Sequence, residues 1–336
     1  MALPQAFHRY QEELNKELES IIGRSSLALY DMMRYHLGWI DEEGRPVEAK
    51  GGKLVRPTLC LLSCEAVGGD WQVALPAAAA VELVHNYSLI HDDIEDGDEE
   101  RRGRATVWRI WGQPQAINAG DAMHSLARLA ILRLDERGVP QKKVLRAASI
   151  LDNTSFELCR GQYLDISYES QFDINIDAYL EMIDGKTAAL MACSLELGAL
   201  LGTEEENLIQ RFRRLGRKLG LAYQMKNDVL GIWGGDSSAS DIKKKKKTLP
   251  VIYALERAEG KEREELLRIY GKKMINSKDV ERVVQLLRHI GAEEYTEEMA
   301  ERYYQEAVAE LEEAGLSSKA KEELMEVIAF LVKQKY

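Results

Sequence analysis

The sequence lacks the signals of several classes of protein. No apolar run approaches the roughly 18 residues that a membrane span requires, and the best candidate, residues 187–202, contains Glu196. The N-terminal segment is amphipathic but acidic, without the apolar stretch of a secretory signal. Only four cysteines occur, and they lie among aliphatic residues without the paired spacing of a zinc site. These absences predict a cytoplasmic protein whose cysteines are buried, reduced thiols.

Positive charge and proline are also scarce. Basic residues number 45 against 56 acidic ones, a net charge of −11, which argues against nucleic acid as a partner. None of the seven prolines lies between Pro140 and Pro250, and alternating β-branched runs are rare. Apolar residues instead recur at three- and four-residue spacings, for example along residues 280–287. The pattern predicts an all-α chain of about ten to twelve helices, with residues 1–336 forming a single domain.

The most informative segment is HDDIEDGDEERRG, which begins at His91. Seven of the nine residues after the histidine are acidic. Residues 81–90 before it are mostly apolar and predict a buried helix, on which Asp92 and Asp96 share a face with Asp93 beside them. An isolated acidic run would be a solvated helix end, but these carboxylates extend a stripe that points inward. Oxygen ligands clustered at the mouth of an apolar cavity suit Mg²⁺, which proteins usually share with substrate phosphates.

Other segments complete a recognisable pattern. They are GGKLVRP at 51–57, Arg101-Arg102-Gly103, Gly185-Lys186-Thr187, LAYQMKNDVLG at 221–231 and DIKKKKKTLP at 241–250. Together with the acidic segment they resemble the trans-prenyltransferases, or polyprenyl diphosphate synthases, and most of all the short-chain farnesyl and geranylgeranyl diphosphate synthases. The resemblance extends from about residue 50 to 255 with the motifs in family order, and its most specific part is the acidic motif with its double arginine.

The resemblance implies a reaction and a set of ligands. Within an isoprenoid-synthase-type helical bundle around a central cavity, isopentenyl diphosphate would condense with dimethylallyl, geranyl or farnesyl diphosphate. Breaking the allylic C–O bond places negative charge on the departing diphosphate, so cations must already lie where that charge develops. By resemblance, Asp92 and Asp96 hold two Mg²⁺ ions with Asp93 in support. Three cations would bind the allylic diphosphate: Arg101, Lys186 and, from the lysine run 243–247, Lys247.

Isopentenyl diphosphate needs an anion pocket of its own that does not ionise it. The resemblance assigns four residues to this pocket: Lys53, Arg56, His85 and Arg102. Simpler interpretations stay open, because Lys53 and Arg56 could be surface charges, His85 a satisfied core histidine and the lysine run a solvated loop.

The resemblance also implies the residues around the reacting carbons. Tyr223 and Gln224 match a Phe-Gln pair of the family, whose π-face and amide oxygen can stabilise a carbocation. Lys186 and Thr187 complete this catalytic set. Gln162 and Asp165 match a further family motif that borders the metal site.

The second metal motif departs from the family pattern. A DDxxD motif is usual there, but this chain has Asn227 and Asp228 followed by Gly231, and the loop 232–241 lacks a usual lysine. Because Asn offers one neutral oxygen, the site for a third Mg²⁺ should be weaker.

Two alternatives to an active synthase follow from this departure. A terpene cyclase of the same class often begins this motif with Asn-Asp, but it continues with Ser or Thr and then Glu, where this chain has Gly231 and Gly235. A cyclase also has no need of an isopentenyl diphosphate pocket. A non-catalytic partner subunit is the other alternative, against which the intact first motif argues.

Product length and assembly are expectations from the family. Side chains just before the first aspartate form the floor of the elongation cavity, and Tyr87 lies about 7.5 Å before Asp92 along the helix, with the small Ser88 after it. One aromatic residue here suggests a C20 product, geranylgeranyl diphosphate, ahead of the C15 farnesyl diphosphate. Tyr87 could equally be an ordinary core aromatic. Family members usually pair as homodimers through helices.

Overall fold

The computed structural model describes residues 4–23, 25–47, 52–234 and 239–333, and most of them are helical. The first half of the chain forms α1 (Ala6–Arg9), α2 (Gln11–Ile22), α3 (Ala28–His36), α4 (Val55–Ala66), α5 (Leu75–Glu95), α6 (Val107–Trp111), α7 (Gln113–Leu132) and α8 (Gln141–Tyr168). The second half forms α9 (Ile176–Ile183), α10 (Ala189–Gly202), α11 (Glu206–Trp233), α12 (Ser240–Lys243), α13 (Leu249–Arg257), α14 (Gly260–Tyr270), α15 (Ser277–His289), α16 (Ala292–Glu312) and α17 (Lys319–Val332).

Four short elements interrupt this helical order, one of them a 3₁₀ turn, Asp135–Arg137, between α7 and α8. A π turn, Asp184–Ala188, joins α9 to α10. Strands β1 (Glu100–Arg101) and β2 (Arg104–Ala105) pair antiparallel in a hairpin between α5 and α6.

The prediction of an all-α bundle is confirmed. Within the described ranges, fourteen α-helices have eight residues or more, somewhat above the ten to twelve predicted. The difference arises where brief interruptions divide long apolar segments. The π turn separates α9 from α10, and the extended residues Ala258 and Glu259 separate α13 from α14.

The centre of the bundle is α10. All of its residues from Ala189 to Leu200 are buried, and it packs against α4, α5, α8 and α11. A helix that is apolar on every side must be enclosed by other helices. This enclosure explains why the longest apolar stretch of the sequence lies inside the protein. Among the described residues, no helix is both long and apolar enough to cross a membrane.

The packing brings the candidate site residues to one side of α10. The largest apolar cluster involves α4, α5, α7, α10 and α11, and a second one joins α13, α14 and α15. A third cluster, around Tyr179 and Met225, ties α9 and α11 to α13 and α16. The C-terminal end of α5, the middle of α8, the π turn and α11 therefore converge on one region.

Candidate active site

The acidic end of α5 faces a cavity, as the sequence predicts. Asp92 lines a cavity of about 260 Å³ together with Glu95 and Lys186. The pKa of Asp92 is raised to about 6, chiefly by burial, with Lys186 opposing the rise and the neighbouring Asp96 and Glu95 adding to it. Like charges held this close together favour the binding of a cation between or beside them.

Asp93 points away from this cavity. Its side chain is 1% exposed, and Oδ1 accepts hydrogen bonds from Nε and from the terminal amine of Arg101, both at 2.7 Å. Its other oxygen, Oδ2, is buried without a hydrogen-bond partner. Asp93 and Arg101 thus pair with each other, whereas the sequence assigned them to the metal and to the allylic diphosphate.

The hairpin explains how two adjacent arginines reach different places. Arg101 lies on β1, and the turn places Arg102 and Gly103 at φ values of 55° and 74°. Two-residue hairpin turns need positive φ at both positions, which favours glycine at the second. Arg102 therefore leaves the strand in another direction and lies against Gly52, where an added Cβ would come within 2.9 Å of its guanidinium.

Three of the four residues predicted for isopentenyl diphosphate form a cluster: Arg56 at the start of α4, His85 on α5 and Arg102 in the hairpin turn. The guanidinium of Arg56 is 3.3 Å from Nε2 of His85, and Glu82, 3% exposed, lies close enough to Arg56 and Arg102 to act on both electrostatically. Burial lowers the pKa of His85 well below its usual range, and Arg56 and Arg102 lower it further. His85 is therefore neutral at physiological pH, and the positive charge of the cluster comes from the arginines.

Lys53 lies at the exposed edge of this cluster. Its ammonium is 5.3 Å from the ring centre of Phe330 on α17. Leu54, which follows it, has a φ of 51°, a left-handed conformation that is unfavourable for a branched side chain. Strained residues of this kind concentrate at ligand sites. Gly51, the first residue of the GGKLVRP motif, lies outside the described residues.

Sequence reasoning missed His36, which lies near the arginines. Its ring is buried on α3, and Nε2 has no hydrogen-bond partner. The pKa of His36 is lowered to about 3, chiefly by burial, with Arg102 and Arg101 adding to the effect. No motif marks this histidine, because only the packing of α3 beside the hairpin brings it there.

The π turn presents Lys186 to two cavities. Lys186 lines the cavity beside Asp92 and also a second cavity of about 210 Å³ next to Asn227. Its ammonium pairs with Asp165 on α8. Burial lowers the pKa of Lys186, but Asp165 and Asp92 outweigh that effect, so the net pKa is raised and the side chain is charged.

A chain of hydrogen bonds runs from the π turn to α9. Thr187 donates to Oε1 of Gln224 at 2.8 Å, and Nε2 of Gln224 donates to Asp228 at 2.9 Å. Asp228 also accepts from the Tyr179 hydroxyl at 2.7 Å and from the backbone amide of Leu249 at 2.8 Å. Burial raises the pKa of Asp228 to about 6 against the opposing effect of these donors. Both carboxylate oxygens of Asp228 are thus engaged by the protein.

Tyr223 is separated from this chain. It is partly buried against the main apolar cluster and lies close enough to Arg56 to act on it electrostatically. It lines neither cavity at Lys186, unlike its neighbour Gln224.

The lysine run divides its side chains among several partners. Lys244 pairs with Asp98 and Lys245 donates to the backbone carbonyl of Lys272. Lys246 and Lys247 both line the second cavity. The ammonium of Lys247, however, lies 4.2 Å from the ring centre of Phe172 and 5.3 Å from that of Tyr270.

The environment of Lys247 differs from that of Lys246. Burial lowers the pKa of Lys247 to about 8. Lys246 is exposed and lies close enough to Asp241 to oppose the rise that burial causes in the pKa of that carboxyl. Lys246, which the sequence did not single out, is therefore better placed to meet an anion in this cavity.

Asp241 is a further site residue that sequence reasoning missed. A Cβ built on Gly231 would overlap Oδ2 of Asp241, so the carboxylate occupies the space left by the missing side chain. Asp241 shares the second cavity with Asn227 and Asp228. No motif marks Asp241 as a site residue, because it lies ten residues after Gly231 and only the fold brings the two together.

The donor set around the cavities fits Mg²⁺. In the described residues, no three Asp, Glu, His or Cys side chains converge closely enough to hold a metal ion by themselves. Mg²⁺ typically takes one or two carboxylates and completes its shell with waters and substrate phosphates. Asp92 lines one cavity and has Asp96 close enough to act on it electrostatically, while Asn227 and Asp241 line the other cavity, and Lys186 borders both. A few oxygen donors of this kind match that mode of binding.

The predicted chain-length residues line the first cavity. Tyr87 and Ser88 lie there with Leu158, Tyr163 and Ile166 of α8. Tyr87 is 7% exposed, and its ring centre is 4.8 Å from that of His124 on α7. The apolar cavity therefore runs from Asp92 to Tyr87, as the helix spacing predicts.

This architecture is that of the trans-prenyltransferases: an all-helical bundle with an acidic helix end and a Lys-Thr turn at one apolar cavity. The family model described as Polyprenyl synthetase matches residues 38–287, and the chain belongs to this family. The family inferred from the motifs is thus confirmed.

Several characterised relatives are similar over most of the chain. It is 45% identical to (2E,6E)-farnesyl diphosphate synthase of Mycobacterium tuberculosis over 73% of its length and 68% of the relative's. It is 38% identical to geranylgeranyl diphosphate synthase of the same species over 90% of its length and 85% of the relative's. A solved geranylgeranyl pyrophosphate synthetase from Pyrococcus horikoshii superposes with a TM-score of 0.89 at 36% identity, covering 98% of this chain and 99% of that one.

Proposed function

We propose that this protein is a Mg²⁺-dependent short-chain prenyl diphosphate synthase. It would condense isopentenyl diphosphate with an allylic diphosphate to give geranylgeranyl or farnesyl diphosphate. One observation carries the proposal: Lys186 stands between a polar cavity with Lys246 and an apolar cavity that extends to Tyr87. A substrate with an anionic head and a hydrocarbon tail fits both cavities at once.

Different residues of the protein would have different roles in this reaction. Bound Mg²⁺, held by Asp92 and Asp96, would supply positive charge to the departing diphosphate. Lys186 and Lys246 would donate hydrogen bonds to the same diphosphate from the opposite side. Gln224 is oriented by Thr187 and Asp228, which leaves its amide edge fixed beside the cavity. Such fixed dipoles stabilise developing charge without reorganisation during the reaction.

The cluster of Arg56, His85 and Arg102 would bind isopentenyl diphosphate. Two guanidinium groups are suited to bidentate contacts with phosphate oxygens. Neutral His85 can donate a hydrogen bond without adding the charge that would favour ionisation of this substrate. A cyclase of the same fold would not need such a second anion pocket, so the assembled cluster favours the synthase.

The second metal motif would retain function through Asp241. Asn227 contributes a neutral oxygen, and Asp228 is engaged by protein donors. The carboxylate of Asp241 lies where the missing side chain of Gly231 would begin. Asp241 would therefore supply the negative charge that this motif otherwise lacks.

Product analysis tests the proposal. Incubation with Mg²⁺, isopentenyl diphosphate and each of dimethylallyl, geranyl and farnesyl diphosphate should give C20 or C15 diphosphates, detected by mass spectrometry. A cyclic hydrocarbon formed from allylic diphosphate alone would instead indicate a cyclase. No turnover with any primer would leave the non-catalytic partner subunit as the function.

We further propose that the protein is a homodimer that pairs through α7 and α8. Large apolar side chains are exposed on both helices, among them Leu129, Phe156 and Tyr163, the last two 65% and 70% exposed. Tyr163 also lines the apolar cavity, so a second copy covering this face would close the cavity's outer wall.

Oligomeric state in solution tests this pairing. Light scattering after size-exclusion chromatography should give twice the mass of the chain, and Phe156→Glu should shift the protein toward the monomer. Met274→Glu is the matched control, because Met274 is 81% exposed but lies in the segment between α14 and α15. A monomeric wild-type protein would exclude the pairing.

Location and domain organisation are proposed on narrower grounds. All four cysteines are free thiols, as is usual in the reducing cytoplasm.

Helix α11 packs on both α10 and α16, which supports a single domain over residues 1–336. Limited proteolysis that yields a stable fragment of half the chain would contradict the single domain.

A further inference from the structure

We propose that Arg217 is a positioning residue that holds the π turn, and with it Lys186, in place for departure of the allylic diphosphate. The inference rests on the proposed function, because Arg217 acts only through Lys186. Arg217 lines neither cavity at Lys186, so it has no direct route to a substrate.

Arg217 joins three elements of the bundle. From α11, one terminal amine donates to Oδ2 of Asp184, the first residue of the π turn. The other donates to Oε2 of Glu157 on α8 at 2.6 Å. The planar guanidinium presents these two donors in a fixed fork, so the direction of one contact restricts the direction of the other. Its side chain is 26% exposed, which protects both ion pairs from full solvent screening.

The π turn is closely packed against the neighbouring helices. A Cβ on Gly161 of α8 would overlap the backbone nitrogen of Lys186, and a Cβ on Gly220 of α11 would overlap Cα of Ala188. The backbone of the turn is therefore wedged between α8 and α11, the same two helices that Arg217 and Glu157 connect. Close packing limits movement of the turn toward either helix, and the ion pair between Asp184 and Arg217 limits its movement between them.

A π turn makes this restraint necessary. An extra residue in one helical turn weakens the regular hydrogen-bond pattern, and such turns occur mainly at functional sites. Lys186 lies two residues after Asp184, and its ammonium already shares the pocket with Asp165 and Asp92. Displacement of a catalytic group by about 1 Å is enough to cost up to about a hundredfold in rate.

The position of Arg217 predicts a selective kinetic defect. Arg217→Gln should lower kcat by at least about tenfold. The KM for isopentenyl diphosphate should stay within about twofold, because Arg56 and Arg102 lie on α4 and the hairpin, which Arg217 does not contact. Arg217→Lys should recover only part of kcat, since one ammonium cannot reproduce the bidentate fork.

Arg214→Gln is the matched control. Arg214 lies one turn earlier on α11 and pairs with Glu310 on α16, with its Nε 3.0 Å from Oε1. Losing that pair should leave kcat within about twofold while costing a comparable amount of thermal stability. If Arg217→Gln is not recovered folded, Glu157→Gln removes half of the same clamp from α8 and should also lower kcat.

A double-mutant cycle separates positioning from general destabilisation. If Arg217 acts through Lys186, Arg217→Gln should cause little further loss in a Lys186→Met background. Losses in kcat that multiply, or an Arg217→Gln enzyme with near-normal kcat, would overturn the inference and leave the proposed function intact. A wild-type protein that forms no product would overturn the proposed function first.

Discussion

The carboxylate of Asp241 occupies the space where a side chain on Gly231 would begin. The metal motif on α11 ends in Gly231, and Asp241, ten positions later, places an acidic group at the same point. Asp241 and Asn227 border one cavity, in which Lys246 is also exposed.

This relationship predicts how the Mg²⁺ requirement changes with the acidic group. Asp241→Asn should raise the Mg²⁺ concentration for half-maximal rate by at least about threefold, because the site loses a formal negative charge. Asn227→Asp should lower it. Titration of the rate with Mg²⁺ measures both, and calorimetric titration with Mn²⁺ provides a readout independent of turnover. The double variant Gly231→Asp with Asp241→Ala, in which the alanine vacates the space beside residue 231, should recover part of the affinity. An unchanged requirement in Asp241→Asn would show that Asp241 is not a ligand.

The first acidic motif should be indispensable. Asp92→Ala or Asp96→Ala should lower kcat by at least ~10³-fold, a barrier increase of about 4 kcal/mol. The reason is that Asp92 lines the cavity together with Lys186, and Asp96 lies close enough to act on both electrostatically. Asp121→Ala on α7, where the side chain is 68% exposed, is the control and should leave kcat near the wild-type value. Near-normal turnover by both site variants would remove these aspartates from catalysis.

Lys246 and Lys247 should differ although they are adjacent and chemically identical. Lys246→Met should raise the KM for the allylic diphosphate by about tenfold, the loss expected for one charge-assisted hydrogen bond. Lys247→Met should change it by less than about threefold, because this ammonium already lies against Phe172 and Tyr270. Steady-state kinetics with varied farnesyl diphosphate measures both. The reverse order would restore Lys247 as the diphosphate ligand.

Tyr87 should limit the length of the product. Replacing it with alanine opens space continuous with the apolar cavity, and each buried CH₂ of the prenyl tail gains roughly 0.8 kcal/mol there. Tyr87→Ala should therefore lengthen the products by at least one C5 unit with little change in the first condensation, whereas Ser88→Phe should shorten them. Mass spectrometry of the products checks both variants. Wild-type distributions from both would place the floor of the cavity on another helix, with His124 on α7 the next residue to change.

Much of the fold and of the candidate site could be predicted from the sequence. Apolar spacing predicted the helices, because burial of one face is a local requirement that repeats with the period of the helix. The helix before Asp92 could be placed in the same way, and with it the line from Asp92 to Tyr87 along one cavity wall. Motif order identified the family, since phosphate and metal chemistry restricts which residues can stand at those points.

Side-chain partners outside regular helices could not be predicted this way. Asp93 pairs with Arg101 because the hairpin brings that arginine next to the end of α5. The positive φ of Arg102 then directs the two arginines apart. Lys246 and Lys247 both line the cavity, but only Lys246 is exposed, and Lys245, at a φ of 57°, redirects the chain just before them. The directions of these side chains depend on the φ angles of single residues, and no periodic pattern in the sequence indicates such an angle.

The sequence by itself determined the class of chemistry, because carboxylates, lysines and an apolar helix are set by residue type and helical spacing. Tertiary structure alone decided which of those groups are free to bind metal or substrate. Asp228 is occupied by Tyr179, Gln224 and Leu249, Asp241 fills the space beside Gly231, and Arg217 reaches the π turn from another helix. Apart from the bond between Gln224 and Asp228 within α11, each of these contacts joins different elements of the fold, so it exists only after those elements have packed.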